Sequence, residues 1–175
     1  FTEQMLTERP GSKTINIASS VKRLVVDVTR NWSKNSILWN YAADPQNDPH
    51  TDNGGCSMCQ GAITIDGDKV TRNIAYYAVA HASKFVRPGS VRIASTDAFD
   101  PGVDITEDEE RAEVRRATVV EHSNVLPNVA FKTPDEKIVL VVANDSWSQQ
   151  AVKIQYKGRF ANLRLAPGSV GTFIW

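Results

Sequence analysis

Residues 15–43 read INIASSVKRLVVDVTRNWSKNSILWNYAA, and the change of period inside this stretch points to a fold class. In its first part Ile17, Val21, Leu24, Val25, Val28 and Trp32 recur at helical spacing. That spacing lays them on one face of an amphipathic helix, expected over about residues 15–31 with Thr14 as its N-cap. In its second part, residues 36–43 form a short, mostly apolar run between Asn35 and Asp44-Pro45. Such a run is expected of a strand buried on both faces. Ahead of the helix, FTEQ at residues 1–4 reads as the tail of a strand that has lost its beginning. Strand end, helix and strand in succession make a βαβ unit and imply a parallel sheet.

Working outward, residues 44–61 hold two Pro and three Gly and little that can pack, and a loop of this length inside a compact domain is usually functional. It leaves the C-terminal end of the expected parallel strand, the edge where α/β folds place their sites. ITIDGDKVT at residues 63–71 reads as a hairpin around Asp66-Gly67, because Gly accepts the positive φ of such turns. A second helix is expected over residues 72–85, with Ile74, Tyr77, Ala78, His81 and Phe85 on one stripe. It ends at Arg87-Pro88-Gly89, where Pro cannot continue the hydrogen-bond ladder.

Beyond Pro88 the pattern changes. SVRIAS, EVRRATVVEH, NVAFKT, KIVLVVAND, AVKIQY, FANLRL and SVGTFIW are short alternating or apolar runs separated by turn residues, the mark of an antiparallel β-sandwich. The acidic DITEDEE at residues 104–110 reads as a solvated insertion, since it lacks the ligand spacing and turn Gly of a calcium loop. The expected division is therefore residues 1–86, α/β, and residues 87–175, all-β.

Lys and Arg number 20 and Asp and Glu number 20, so the chain lacks the basic footprint of a nucleic-acid binder. No apolar run is long enough to span a membrane. The two cysteines, Cys56 and Cys59 in GGCSMCQG, are too few for a zinc site. A redox pair would open a helix, whereas a strand pattern follows them, so they read as a local disulfide or as structural thiols bracing a Gly-rich loop. No metal site and no cofactor is expected. Glu3 and the pair Trp39 and Asn40 fall at the ends of the expected parallel strands. A carboxylate there can act as nucleophile or acid, and an indole can stack on a sugar ring. His81 and His122 have no ligand partners nearby in sequence and read as packing or surface residues. Trp147, in NDSWSQQ, suits either loop packing or sugar stacking.

The stretches ILWNYAADPQNDPH, GGCSMCQGAITI, VTRNIAYYAVAHASKFVRPGSVRI and NVAFKTPDEKIVLVVANDS…PGSVGTFIW, in this order behind the FTE start, resemble the C-terminal part of glycoside hydrolase family 30. The cysteine loop is most similar to its microbial glucosylceramidase and endo-β-1,6-glucanase branch. The resemblance covers nearly the whole chain except about residues 96–123, where this chain looks longer. It implies the last one to two βα units of a (β/α)₈ TIM barrel followed by the β-sandwich. It also implies a retaining β-glucoside hydrolase acting by double displacement on β-1,6-glucan or glucosylceramide-type glucosides.

In the family the nucleophile is the Glu of a TE at the end of the seventh barrel strand, which matches Glu3. The acid/base lies in an NEP-type motif that this chain does not contain, so the 175 residues alone are expected to be inactive and to need the missing N-terminal part of the barrel. Trp39 matches the Trp at the floor of the glucosyl subsite, and Asn40, His50 and the Cys56/Cys59 loop would line or brace its rim. His50 follows Asn47-Asp48-Pro49 where relatives have GGP, so it is either a rim residue or an exposed loop residue. The implied partner is a carbohydrate, and the implied location is secreted, periplasmic or at the cell surface. Two other classes are a stand-alone carbohydrate-binding or structural sandwich without activity and a CxxC redox protein.

Overall fold

The computed structural model describes residues 4–6, 17–96 and 126–175. Glu3, Thr14, the start of the first helix, the acidic stretch and the strand expected at residues 113–122 lie outside the described residues.

The first helical segment runs as α1 (Ile17–Val21), a π-helical stretch (Lys22–Asp27) and α2 (Val28–Arg30) without a break. The π turn explains a burial pattern that a regular helix would not produce. Val21, Leu24, Val25, Val26 and Val28 are all buried, and Val21 and Val26, five residues apart, are both among the most enclosed side chains. One wider turn brings an i, i+5 pair onto the same face. Trp32, expected on this stripe, is instead 76% exposed. It adopts a φ of 64°, the left-handed conformation that ends helices, and the next amide, Ser33, donates to Val28 O at 3.1 Å. Its ring points outward under the Arg92 guanidinium, 4.2 Å away.

The parallel pairing expected from the βαβ reading is present as a bridge between Gln4 and Leu38. The strand after the helix is, however, not buried on both faces. Only β1 (Ala42–Ala43) has regular strand structure, and Ile37, Trp39 and Tyr41 are exposed. Among the described residues this run has Gln4 and β2 (Ile63–Asp66) as its strand neighbours, and no layer covers its outer face. β2 and β3 (Lys69–Arg72) form the expected hairpin, with Gly67 at a φ of 56° in the two-residue turn. α3 (Ile74–Ser83) follows. Its buried residues are Ala75 and Ala78, while Tyr77, expected on the stripe, is exposed. Two small residues let α3 lie close to α1, whose Ala18 is fully enclosed.

β4 (Val91–Ile93), β5 (Asn128–Lys132), β6 (Ile138–Ala143) and β9 (Val170–Ile174) make a four-stranded antiparallel sheet in the order β4-β5-β6-β9. β7 (Gln150–Tyr156) and β8 (Arg159–Leu165) form a separate hairpin. β6 reads as a continuous apolar run because both its faces are covered. On one face Val129, Phe131, Val139 and Val141 pack against Val21, Leu24, Val25, Val26, Ala75 and Ala78 of the helices. Removing such side chains from water stabilises by roughly 1.5–3 kcal/mol each. Toward the other side Leu165 approaches Gly171, and the Tyr156 and Trp175 rings meet at 5.6 Å.

The apolar cluster crosses the division expected at residues 86/87, and polar ties cross it too. Lys22 Nζ meets Asp145 Oδ2 at 2.8 Å, and this hydrogen bond raises the lysine pKa. Arg30 Nε donates to Asn128 O at 2.7 Å. His81 Nδ1 lies 2.9 Å from Thr172 Oγ1.

Burial lowers the His81 pKa below its ordinary 6.5. The unfolded chain therefore binds a proton first, and stability from this group, present in full above about pH 6.5, falls as pH falls toward the folded value. Denaturant midpoints measured between pH 7.5 and 5.5 should decline more steeply in wild type than in His81→Gln; parallel declines would refute this assignment.

Candidate active site

The site is built around residues 4–6 and 37–40. Gln4 N donates to Ile37 O at 3.0 Å and Trp39 N donates to Gln4 O at 2.8 Å, which closes the parallel bridge. Arg23, on the π-helical stretch, clamps the same segment. Its Nη1 donates to Gln4 Oε1 and its Nη2 to Met5 O, each at 2.7 Å. Gln60 N donates to Leu6 O at 3.2 Å, and the Leu6 side chain is buried in the apolar cluster. Residues 4–6 are thus held by the neighbouring strand, the helix, the long loop and the core.

Trp39 presents its indole with 48% exposure next to this bridge. The Trp39–Asn40 peptide is cis. Asn40 O accepts from Ala62 N at 3.0 Å, while Asn40 Oδ1 is buried without a hydrogen-bond partner among the described residues. A half-exposed indole suits a ring with one apolar side.

The long loop forms the rim. Asp44 Oδ1 accepts from Gln46 N and Asp48 N, both at 2.8 Å, and so folds the chain back on itself. Cys56 and Cys59 are joined in a disulfide. Met5 Sδ touches Cys59 Sγ at 3.2 Å, so the loop rests on the residue that Arg23 also holds. Gly55 lets the loop close on Thr51, because a Cβ there would overlap the Thr51 backbone. His50 is not the exposed loop residue that one reading expected. Its ring is half-buried and its Nδ1 lies 2.7 Å from Asp48 Oδ1. Its polar partners fall within its own turn, and Asn47 Nδ2 links that turn to Ser57 O at 3.2 Å.

The fold thus gathers Trp39, Asn40 and the Cys56/Cys59 loop around residues 4–6, with His50 turned into the rim. Sequence reading passed over Arg23 and Met5. A charged residue in the middle of an apolar stripe, VKRLVV, was the available signal for Arg23. Among the described residues no group of His, Cys, Asp and Glu can hold a metal ion.

Residues 115–173 match the profile described as the glycosyl hydrolase family 30 beta sandwich domain. Endo-1,6-beta-D-glucanase neg1 of Aspergillus fumigatus is 36% identical over 70 residues, 40% of this chain and 14% of that protein. Endo-1,6-beta-D-glucanase BGN16.3 of Trichoderma harzianum is 31% identical over 100 residues, 56% of this chain and 20% of that protein. Among solved structures, the endo-beta1,6-glucanase BT3312 superposes on all of this chain with a TM-score of 0.73 and 24% identity, and SrfJ from Salmonella typhimurium with 0.75 and 21%. The chain spans 34% of each of those two structures. It aligns with a fifth or less of either glucanase sequence. Residues 115–173 are therefore similar to the beta sandwich domain of glycosyl hydrolase family 30, and endo-1,6-beta-D-glucanases are among the chain's sequence relatives.

Proposed function

We propose that the chain works as the C-terminal segment of a retaining β-glucoside hydrolase acting on β-1,6-glucan. In this reading residues 1–86 complete a (β/α)₈ barrel and residues 87–175 form its sandwich. The observation that carries it is the Gln4–Leu38 bridge, which sets the strand following Glu3 beside the strand leading to Trp39 and Asn40. Names of the sequence relatives support the linkage.

Glu3 then attacks the anomeric carbon as the glycosidic C–O bond breaks, and a second carboxylic acid protonates the departing oxygen. Water, deprotonated by that second group, displaces Glu3 and restores both residues. The two carboxyl groups must stand about 5 Å apart, and the partner belongs to the rest of the barrel. Trp39 stacks on the glucosyl ring and keeps water from the oxocarbenium-like transition state. Asn40 lines the rim of the same subsite. The Cys56/Cys59 loop braces the rim, and the hydrolase acts outside the cytosol.

The hydrolase containing this chain is expected to release β-configured sugar first from linear β-1,6-glucan, as followed by proton NMR of the anomeric signals. The purified 175-residue chain is expected to release none, because one carboxylate cannot perform both displacements. Initial release of the α anomer, or turnover by the chain alone, would overturn the reading.

A further inference from the structure

We propose that the outward face of the β7–β8 hairpin is a docking surface for an extended acidic polysaccharide, separate from the candidate active site. The chain as a whole has equal numbers of acids and bases. Residues 150–165, QAVKIQYKGRFANLRL, nevertheless hold Lys153, Lys157, Arg159 and Arg164 and no Asp or Glu. Among the described residues none of these four cations makes an ion pair with a carboxylate.

Register decides which side chains share a face. Ala151 pairs with Arg164, Lys153 with Asn162 and Gln155 with Phe160, and all six are exposed. The intervening Val152, Ile154 and Tyr156 are half-buried on the opposite face, where the Tyr156 ring meets Trp175. The outward face therefore displays two cations, two amides and one aromatic ring. The ring is 55% exposed, with Lys153 Nζ 4.5 Å from its centroid. Lys157 and Arg159 extend the positive charge to the hairpin tip.

The chemistry of that set selects the occupant. Spaced cations pair with spaced carboxylates, amides exchange hydrogen bonds with hydroxyls, and an aromatic face takes the C–H side of a sugar ring. The face is an open ribbon of two extended strands, which suits a linear polymer lying along it better than a small ligand that needs enclosing walls. A neutral chain has little long-range pull on highly charged nucleic acid, so recognition rests on these short-range contacts.

The test is affinity electrophoresis of the full chain in gels containing polygalacturonate, linear β-1,6-glucan or no polymer. Polygalacturonate should retard the protein at low salt, with retardation falling as salt rises. Lys153→Glu with Arg164→Glu should weaken binding at least about tenfold, since each cation near an anionic surface contributes roughly a tenfold step or less. Phe160→Ala should weaken it while leaving the salt dependence unchanged. Both variants alter exposed positions, and unchanged unfolding midpoints confirm their folding. Absence of retardation, retardation unaffected by the double reversal, or tighter binding to duplex DNA or anionic vesicles than to polygalacturonate would each overturn the proposal.

Discussion

Glu3→Gln, made in the family 30 hydrolase proposed for this chain, is expected to lower kcat roughly ten-thousand-fold, the scale on which loss of a covalent nucleophile acts. KM should change far less, because the amide occupies the same space and Trp39 still stacks on the sugar. A companion variant, Glu3→Ala with added azide, distinguishes the two carboxylate roles. Azide entering where the nucleophile stood attacks the intact glycoside from that face and gives the inverted α-glycosyl azide. An acid/base variant would keep its covalent intermediate and give the β product. A rate near wild type for Glu3→Gln, or a β-glycosyl azide from Glu3→Ala, would remove Glu3 from the role.

The second large effect concerns stability. Asn144 is fully buried at the end of β6 and donates from Nδ2 to Ser148 O, Leu165 O and Ala166 O, between 2.9 and 3.0 Å. Its Oδ1 accepts from Ser146 Oγ at 2.7 Å, and its own N–H reaches Ser169 O at 2.8 Å. One side chain thus ties β6, the turn after it and the connection from β8 to β9. Asn144→Leu removes all three bonds, while Ser148 O keeps Ser146 Oγ and Ala166 O keeps Ser169 N and Oγ, and it is expected to cost about 2 kcal/mol, read from urea unfolding. Asn144→Asp keeps the Ser146 contact and removes the donors, so it should lose a similar amount at neutral pH. A change below about 1 kcal/mol in both variants would show that water or a shifted backbone replaces these bonds.

The two effects stand on different kinds of legibility. Glu3 and Trp39 were named from motifs at strand ends, and the pairing of Gln4 with Leu38 agrees with the βαβ order that the period change in residues 15–43 implied. Asn144 carried no motif. Its role arises because three segments distant in sequence converge on one amide. Arg23 was missed for the same reason, since its partners Gln4 and Met5 lie some 18 or 19 residues earlier in the chain. Trp32 was misplaced because hydrophobic period alone could not foresee a left-handed residue closing the helix, which turned the ring outward.

What the sequence determined by itself is what short-range physics controls. It set the apolar face of the first helix, the Gly67 hairpin and the strand runs β5 to β9, through periodicity, turn chemistry and β propensity acting within a few residues. Tertiary structure alone decided the order β4-β5-β6-β9, the π turn that encloses both Val21 and Val26, and the exposure of the strand around Trp39. It also decided the convergence of helix, loop and core on residues 4–6. These outcomes depend on which layers cover a surface and which distant groups supply its hydrogen bonds, and neither is encoded in any local window of the chain.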